Sequence, residues 1–267
     1  MKPHVLVLTG YGINCEEETA FAFAQAGGNA RVAHVNDLIE GTVKLQDFQI
    51  LAIPGGFSYG DDAGAGSALA NRIKNNLGES IFNFVRADKL VIGVCNGCQM
   101  LANLGLVPAL GGRTSERQVA FDRNDNARYT DRWVWLKNTS KKCVWTHGMK
   151  LLHAPIAHGE GKLVAPPEVL RAIQKNDQIA FQYVHEDGSL AKGEYPANPN
   201  GSLLDIAALT DPSGRVMGIM PHPERFMTLT NEDGWTLQRE RAKRKGKSLP
   251  SKGAGMQLFR NGVGYFQ

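Results

Sequence analysis

One segment of the sequence has the residues and spacing of a cysteine nucleophile. Within residues 91–99, an apolar run leads into Gly-x-Cys-x-Gly, with Cys95 between Gly93 and Gly97. A nucleophile held on a tight strand-to-helix turn brings neighbouring backbone so close that only glycine fits two residues before and after it. The amino terminus of the following helix also favours a thiolate. The pattern therefore predicts that Cys95 is a reactive thiol.

A histidine and a glutamate further along could activate that thiol. They lie in the tetrapeptide Pro-His-Pro-Glu at 221–224, directly after a segment, 215–220, that is predicted as a buried strand. The prolines disfavour helix and favour an extended tetrapeptide. Side chains two residues apart then face the same way, so Glu224 can orient the imidazole of His222. With Cys95, they are predicted to form a catalytic triad.

A third segment, residues 54–62, could supply an oxyanion hole. It reads Pro-Gly-Gly-Phe-Ser-Tyr-Gly-Asp-Asp and follows a strand predicted at Ile50–Ile53. Consecutive glycines free a backbone N–H to point at a developing negative oxygen. A phosphate loop is disfavoured, because no Gly-Lys-Ser/Thr follows and Asp61 and Asp62 would repel phosphate. A plain glycine-rich turn is the remaining alternative.

Strand and helix patterns alternate around these motifs. Helices are predicted after Asn14, which could cap the first of them, and over Ser67–Leu77. The aromatic and β-branched residues of Arg128–Leu136 predict antiparallel strands. The alternation predicts an α/β fold, an open and mostly parallel sheet with helices on both faces and added antiparallel strands. The predicted parallel strands are Val5–Leu8, Ala30–Val35, Ile50–Ile53, Leu90–Val94 and Arg215–Met220.

Composition narrows the class of protein. The 267 residues are 42% hydrophobic and 21% charged, an ordinary balance for a globular chain, and we expect residues 1–267 to form a single domain. No apolar run approaches the ~18–20 residues that span a bilayer, and the amino terminus lacks the features of a signal peptide. Four cysteines are too few for a disulfide scaffold. These features predict a cytoplasmic protein with free thiols and no membrane partner.

The net charge of +4 comes from one segment. Residues 239–252 hold seven Lys and Arg against a single Glu, within a basic C-terminal extension predicted from about residue 235. Such runs are usually solvated faces, which is the favoured interpretation. The alternative is electrostatic contact with an acidic partner or a nucleic acid. We expect no nucleic-acid partner.

Five motifs together resemble one family, the class I glutamine amidotransferases, whose fold is flavodoxin-like. More narrowly, the sequence is similar to the glutaminase component of phosphoribosylformylglycinamidine synthase, an amidotransferase of purine biosynthesis. The cysteine turn and the His-x-Glu are common to the class, whereas Gly-Gly-Phe-Ser-Tyr-Gly-Asp and Asn-Pro-Asn-Gly-Ser are typical of this member. The matching segments are 55–61, 93–99, 158–161, 195–202 and 220–224.

The resemblance implies a reaction and assigns residues to it. Cys95 would attack the side-chain amide of glutamine, forming a glutamyl thioester and releasing ammonia. His222 would protonate the leaving amine and then activate water, with Glu224 orienting the ring. Backbone N–H groups near Gly56 and Asn96 would stabilise the oxyanion. The residues expected to contact the bound glutamine are Gly55, Phe57, Gln99 and His158.

The resemblance also implies a partner. Ammonia would pass to a formylglycinamide ribonucleotide synthetase subunit that uses ATP and Mg²⁺, and the family allows a small third subunit. The sequence has no nucleotide-binding motif of its own. We therefore expect no cofactor and no metal in this chain.

Other chemistry for the cysteines and histidines is less well supported. Cys95 and Cys98 form a Cys-x-x-Cys, the spacing of thioredoxin-like dithiols, which would make the chain a redox protein and leave His222 without a role. A zinc site would need four ligands at defined spacing, and no second pair completes a set. The residues considered for such a site, besides the Cys-x-x-Cys pair, are Cys143, His147, His153 and His158.

Two further alternatives keep the fold but change the function. A regulator without activity is disfavoured, since the cysteine, histidine and glutamate of the predicted triad are all present. Related cysteine hydrolases tend to place histidine directly after the nucleophile, whereas Asn96 follows Cys95 here.

Overall fold

The computed structural model describes residues 2–112 and 114–267. The strands are β1 (His4–Thr9), β2 (Asn29–His34), β3 (Ile50–Ile53), β4 (Leu90–Val94), β5 (Ala120–Asp122), β6 (Thr130–Asn138), β7 (Leu151–His158), β8 (Lys162–Val164), β9 (Ile179–Val184), β10 (Ile206–Thr210) and β11 (Val216–Ile219). The α-helices are α1 (Glu16–Gln25), α2 (Val35–Ile39), α3 (Ser67–Arg86), α4 (Asn96–Asn103), α5 (Pro167–Lys175), α6 (Trp235–Arg244) and α7 (Met256–Gly264).

A nine-stranded mixed sheet organises the described residues, in the order β2-β1-β3-β4-β11-β10-β9-β6-β7, while β5 and β8 pair separately. The pairs from β2 to β11 are parallel. The pairs from β11 to β7 are antiparallel. The predicted α/β fold, a parallel sheet with helices and added antiparallel strands, is therefore confirmed.

The central strands are buried on both faces. Val5 and Val7 of β1 join one hydrophobic core, which includes residues of α1 and α7, whereas Leu6 and Leu8 join a second core with residues of α3 and α5. Successive side chains of a strand point to opposite faces, so a strand covered on both sides must be apolar throughout. This explains why β1 is a continuous apolar run in the sequence.

Several element boundaries differ from the prediction, most of them by one or two residues, and two of the differences have a clear physical reason. The second strand ends at His34, because Val35 is the first residue of α2. The helix predicted over Ser67–Leu77 continues to Arg86. Gly78 resembles a helix end, but Ile81 and later apolar residues keep the helical spacing and are buried, so the packing outweighs the weak propensity of one glycine.

The prediction that Asn14 caps the first helix is wrong. The N-cap residue is Cys15, and it makes no side-chain cap hydrogen bond. The backbone N–H groups of Asn14 and Cys15 both donate to the carbonyl of Gly55, at 3.2 and 3.3 Å. The start of α1 is therefore positioned by the glycine-rich segment and not by a side-chain cap.

The predicted C-terminal extension consists of two different parts. Residues 228–252 leave the body of the protein and return to it: Thr228 and Lys252 form a β-bridge, and the N–H of Gly253 donates to the carbonyl of Met227 at 2.9 Å. We call residues 228–252 the basic arm. Helix α7 follows it and is largely buried, since Leu258 and Phe259 belong to the core. Helix α7 therefore belongs to the body of the protein, whereas the helix of the arm is not buried.

Across residues 2–112 and 114–267, no helix is both long enough and apolar enough to span a membrane.

Candidate active site

The predicted catalytic segments converge at one edge of the sheet. Gly55 follows β3, Cys95 follows β4 and His222 follows β11, and these three strands are parallel neighbours. The carboxyl ends of adjacent parallel strands meet at the same edge, which is where open α/β sheets place their ligands.

Cys95 stands on a strained turn between β4 and α4. Its backbone has φ 50° and ψ −107°, outside the usual range of residues with a side chain. A Cβ on Gly93 would lie 2.4 Å from the carbonyl oxygen of Gly97, and a Cβ on Gly97 would lie 1.9 Å from that of Ile53. The two glycines of the motif are thus required by close backbone contacts, as the sequence pattern predicts.

His222 and Glu224 form a buried pair. Nδ1 of His222 lies 2.6 Å from Oε1 of Glu224, and both side chains are almost inaccessible to solvent. The extended tetrapeptide expected here is not observed, because Pro223–Arg225 forms a 3₁₀ turn. The N–H of His222 donates to the carbonyl of Pro155 at 2.8 Å, which fixes the segment to β7.

The surroundings of His222 favour its charged form. Burial lowers the pKa of His222, but the negative charges of Glu224 and Cys95 outweigh burial and hold that pKa well above its usual range. A raised pKa means that the imidazolium persists at neutral pH. The site is therefore built to hold a charged imidazolium beside Cys95.

A second thiol, Cys15, belongs to the same cluster and was not predicted. Its sulfur, a ring nitrogen of His222 and a carboxylate oxygen of Glu224 all lie within 4.8 Å of one another. Nη2 of Arg225 lies 3.1 Å from Sγ of Cys15. Burial raises the pKa of the Cys15 thiol, which keeps it protonated. Its sequence context gives no signal for this position.

Gly55, which is expected to contact substrate, lies against His222, Cys15 and Cys95. A Cβ at this position would lie 2.9 Å from Cε1 of His222, 3.2 Å from Sγ of Cys15 and 3.4 Å from Cβ of Cys95. Glycine is needed here because any side chain would push the three groups apart. Its role in the described structure is to make room for the cluster.

A small cavity opens beside the thiol of Cys95. Its volume is about 180 Å³, less than the ~300–1,000 Å³ of pockets for drug-sized ligands, so it suits a compact molecule. A wider groove of about 790 Å³ lies next to it and shares Tyr129. The cavity is lined by Gly56, Phe57, Asp61, Cys95, Gln99, Tyr129, Ala157, His158, Gly159 and Glu160.

The side chain of Asn96 fixes the glycine-rich segment against α4. Its Oδ1 accepts from the N–H of Ser58 at 3.3 Å, and its Nδ2 donates to Asp61 and to Gln99, both at 3.0 Å. Its backbone N–H lies in the first turn of α4, where amide groups lack an acceptor within the helix. This residue therefore combines an available N–H with a clamp on the loop opposite.

Gln99 faces the cavity, but its side chain is engaged with the protein. Nε2 of Gln99 donates to the carbonyl oxygen of Glu160 at 2.6 Å, while Oε1 accepts from Asn96. The carboxylate of Glu160 in turn accepts from the N–H of Ala65 at 3.0 Å. These contacts join α4 to the segment after β7 and place a carboxylate at the cavity.

His158 lies in the cavity wall as a neutral residue. Its Nδ1 is 3.2 Å from Oδ1 of Asn124, and its ring packs against the backbone of Gly161. Burial, with a smaller contribution from His222, lowers the pKa of His158 to about 3. The ring is therefore uncharged under ordinary conditions and cannot pair with a carboxylate of a ligand.

The lowered pKa of His158 predicts a loss of stability in acid. The unfolded chain binds a proton near pH 6.5 and the folded one only near pH 3, so the stability is fully present above about 6.5 and declines below it. By about pH 4.5 the loss should reach about 3 kcal/mol. Urea unfolding of the wild type and of His158→Gln at about pH 7 and about pH 4.5 measures it. Equal losses in the two proteins would contradict this assignment.

The redox alternative fits the geometry poorly. Cys98 points away from the cavity toward β11, where a Cβ on Gly218 would lie 2.8 Å from its sulfur. Burial raises the pKa of Cys98 well above its usual range, so it is a poor thiolate. All four cysteines are free.

The alternative zinc set is dispersed in the described part of the chain. Cys143 contacts Met217 at 3.7 Å, His153 pairs with Glu232 and His158 contacts Asn124. Among the described residues, these groups do not come within metal-ligand range of one another.

Comparison with known proteins agrees with this geometry. The family profile of the CobB/CobQ-like glutamine amidotransferase domain matches residues 2–266. The fold and the Cys-His-Glu cluster thus define a glutamine amidotransferase domain, and the chain belongs to that family, in the branch that includes the PurQ subunits of phosphoribosylformylglycinamidine synthase.

The relatives in this branch match nearly the whole chain. The PurQ subunit of Methanococcus maripaludis is 46% identical over 265 residues, covering 99% of this chain and 97% of that protein. The PurQ subunit of Dehalococcoides mccartyi is 40% identical, covering 98% and 97%. A chain in the structure of PurLQS from Thermotoga maritima matches with a TM-score of 0.72 at 25% identity, over 100% of both chains.

Proposed function

We propose that this chain hydrolyses glutamine as the ammonia-producing subunit of a phosphoribosylformylglycinamidine synthase. The observation that carries the proposal is the buried pair of His222 and Glu224, 2.6 Å apart, beside a thiol held on a strained turn at the mouth of a small cavity. This arrangement serves acyl transfer through a thioester. The relatives that match nearly the whole chain are named as PurQ subunits of this synthase, which supports the proposal.

The proposed reaction uses the charge state that the site favours. The thiolate of Cys95 attacks the side-chain amide carbon of glutamine, while the imidazolium of His222 gives its proton to the amide nitrogen, which leaves as ammonia. Neutral His222 then takes a proton from water, and the resulting hydroxide attacks the thioester. Glutamate leaves and the thiolate returns. Nε2 of His222 is the nitrogen that can do this, since Nδ1 is engaged by Glu224.

The backbone supports the developing negative charge in this proposal. The N–H of Asn96 lies at the amino terminus of α4, and that of Gly56 lies in the cavity wall. In this proposal both donate to the carbonyl oxygen of the substrate as it becomes an oxyanion. Gly56 has φ 156°, and a Cβ there would lie 2.4 Å from the carbonyl oxygen of Gly12, so the position requires glycine.

The ends of the glutamine molecule need polar partners. We assign the carboxylates of Glu160 and Asp61 to the region that receives the α-ammonium group, since both line the cavity. Burial raises the pKa of Asp61, which a cationic ligand would reverse. Phe57 and Tyr129, whose ring centroids lie 6.1 Å apart, form the rim. Gln99 and His158 form part of the cavity wall.

The proposed role also implies a partner, a cofactor requirement and a cellular location. Ammonia passes to a formylglycinamide ribonucleotide synthetase subunit, which uses ATP and Mg²⁺, and a small third subunit completes the complex in some relatives. This chain needs no cofactor or metal for the hydrolysis. The four free thiols support a reducing, cytoplasmic setting. The nine-stranded sheet supports the prediction of a single domain.

Replacing Glu224 by Gln should slow glutamine hydrolysis by about 10²–10⁴-fold. The variant keeps the shape of the side chain but removes the negative charge that raises the pKa of His222, so the imidazolium is no longer favoured. We expect kcat to fall with little change in KM, because Glu224 does not line the cavity. Steady-state glutaminase assays against pH measure both values. An unchanged kcat, or a change confined to KM, would contradict the orienting role.

Isotope transfer tests the proposed function directly. The chain is mixed with the synthetase subunit, ATP, Mg²⁺, formylglycinamide ribonucleotide and glutamine that carries ¹⁵N in its side-chain amide. We expect the label in the amidine of the product, with one glutamate formed for each product molecule. Product without label, or label transfer that continues without this chain, would refute the proposal.

A further inference from the structure

The basic arm holds the whole excess charge of the protein. Residues 228–252 contain seven Lys and Arg and three Asp and Glu, whereas the rest of the sequence contains 23 of each kind. The positive residues cluster on α6 and the turn after it. A net charge confined to one small projection produces a local positive potential and not a general one.

The helix of the arm buries no side chain against the body of the protein. Helix α6, all of whose residues the structure describes, has no buried residue, although helices in folded proteins normally gain most of their stability from a packed face. Leu237 is 53% exposed, and Arg239 stacks on the ring of Trp235 at 4.9 Å. Tryptophan and arginine, which α6 presents together, are residue types enriched at protein interfaces.

The base of the arm is fixed to the strand that lines the cavity. Oε1 of Glu232 lies 2.8 Å from Nδ1 of His153 on β7, and Oε2 accepts from Gln238 at 2.9 Å. The same strand ends with Ala157 and His158 at the cavity, roughly 17 Å further on at the usual rise of a strand. The arm is therefore held on an edge strand, β7, that also lines the cavity.

We propose that the basic arm docks onto an acidic surface of the synthetase subunit. This inference rests on the proposed function, since ammonia made in the cavity must reach a second protein without loss to solvent. A protein surface fits the arm better than a nucleic acid does, because Trp235 and Leu237 add apolar contact beside the charge. The arm would increase the rate of association and set the orientation of the two subunits.

Charge reversal in the full chain tests this proposal. The arm variant carries Arg241→Glu, Lys243→Glu and Lys245→Glu, all at exposed positions. The matched control carries the same change at Arg86, Arg171 and Lys175, which are exposed outside the arm. Isothermal titration against the synthetase subunit is done at about 50 mM and about 300 mM NaCl, since added salt screens exposed charges.

The wild type and the control should bind the synthetase about tenfold more weakly at the higher salt. At low salt the arm variant should bind the synthetase at least about tenfold more weakly than the control does. Its affinity should change little further at high salt. Arm and control variants of equal affinity would overturn the proposal. It would also be overturned if the wild type bound a random DNA duplex at about 300 mM NaCl and the arm variant lost only that binding.

A parallel readout separates this inference from the proposed function. Each variant, alone and with the synthetase, is treated with an electrophilic glutamine analogue, and the adduct on Cys95 is quantified. We expect the same labelling in the wild type, the arm variant and the control, because the arm lies outside the cavity. Absence of labelling in every protein would count against the glutaminase function. Normal labelling with equal affinities would count against the arm alone.

Discussion

A Cys95→Ala variant is expected to lose glutamine-dependent product formation by about 10⁴-fold or more. The thioester cannot form without the sulfur, and no other described thiol takes its place, since burial raises the pKa of Cys15, Cys98 and Cys143. Synthesis from added ammonium salt should persist, because the acceptor chemistry belongs to the synthetase. The measurement compares product formation from glutamine and from ammonium salt in the reconstituted complex.

A Cys98→Ala variant is the matched control for that experiment. It removes the neighbouring thiol of the Cys-x-x-Cys without touching the cavity lining. We expect glutamine-dependent activity to remain within a fewfold of the wild type, with a modest loss of stability of about 1–2 kcal/mol from the vacated core space. Equal loss of activity in the two variants would instead favour a dithiol mechanism and would refute the assigned roles.

A Gly97→Ala variant is expected to lose both stability and activity. The added Cβ would lie 1.9 Å from the carbonyl oxygen of Ile53 and 3.1 Å from that of Pro54, so the backbone on one side must move. Forced rearrangement of a packed backbone costs about 3 kcal/mol or more, which lowers Tm by roughly 5–10 °C in a domain of this size. The moved backbone precedes the glycine-rich segment, so hydrolysis should fall as well.

Gly78→Ala provides the comparison for this substitution. Gly78 lies inside α3, where an added Cβ would be 3.7 Å from its nearest neighbour in Phe82, an ordinary contact. Alanine should raise helix stability there by about 1 kcal/mol, with no effect on glutamine hydrolysis. Thermal unfolding and glutaminase assays of both variants measure the contrast. A Gly97→Ala protein as stable as the wild type would contradict the close backbone contacts described for the turn between β4 and α4.

The sequence was most informative where the function depends on short spacing along the chain. Gly93 and Gly97 flank Cys95 because the backbone touches itself within a single turn, so the requirement appears directly in the local pattern. His222 and Glu224 are two residues apart, and the pair formed even though a 3₁₀ turn replaced the expected extended chain.

The sequence was least informative where the packing of distant segments decides the role of a residue. Cys15 and Arg225 are in contact at 3.1 Å although they lie 210 positions apart along the chain. Nothing near Cys15 in sequence indicates that contact. Gly55 is expected at the substrate, and the folded sheet adds that His222 and Cys95 pack against it, which leaves no room for a side chain. Tyr129 and Glu160 also reach the cavity, from the loops before β6 and after β7.

The boundaries of helices and strands also match the prediction where the signal is local and differ from it where a distant segment decides them. The buried run of β4 matched its predicted residues, Leu90–Val94, because a strand covered on both faces leaves an uninterrupted apolar signature. The first helix began without the expected Asn14 cap, since its start is held by the carbonyl of Gly55 from another segment. Local propensity could not contain that information.

The most direct test of the account is to locate the adduct of an electrophilic glutamine analogue by peptide mass spectrometry. The raised pKa values of the other three thiols keep them protonated, and only Cys95 lines the cavity. We expect one adduct, on Cys95, which excess glutamine suppresses and which Cys95→Ser abolishes. Labelling of another cysteine, or labelling of Cys95 that glutamine does not suppress, in the presence of the synthetase subunit, would contradict the assignment of this site to glutamine hydrolysis.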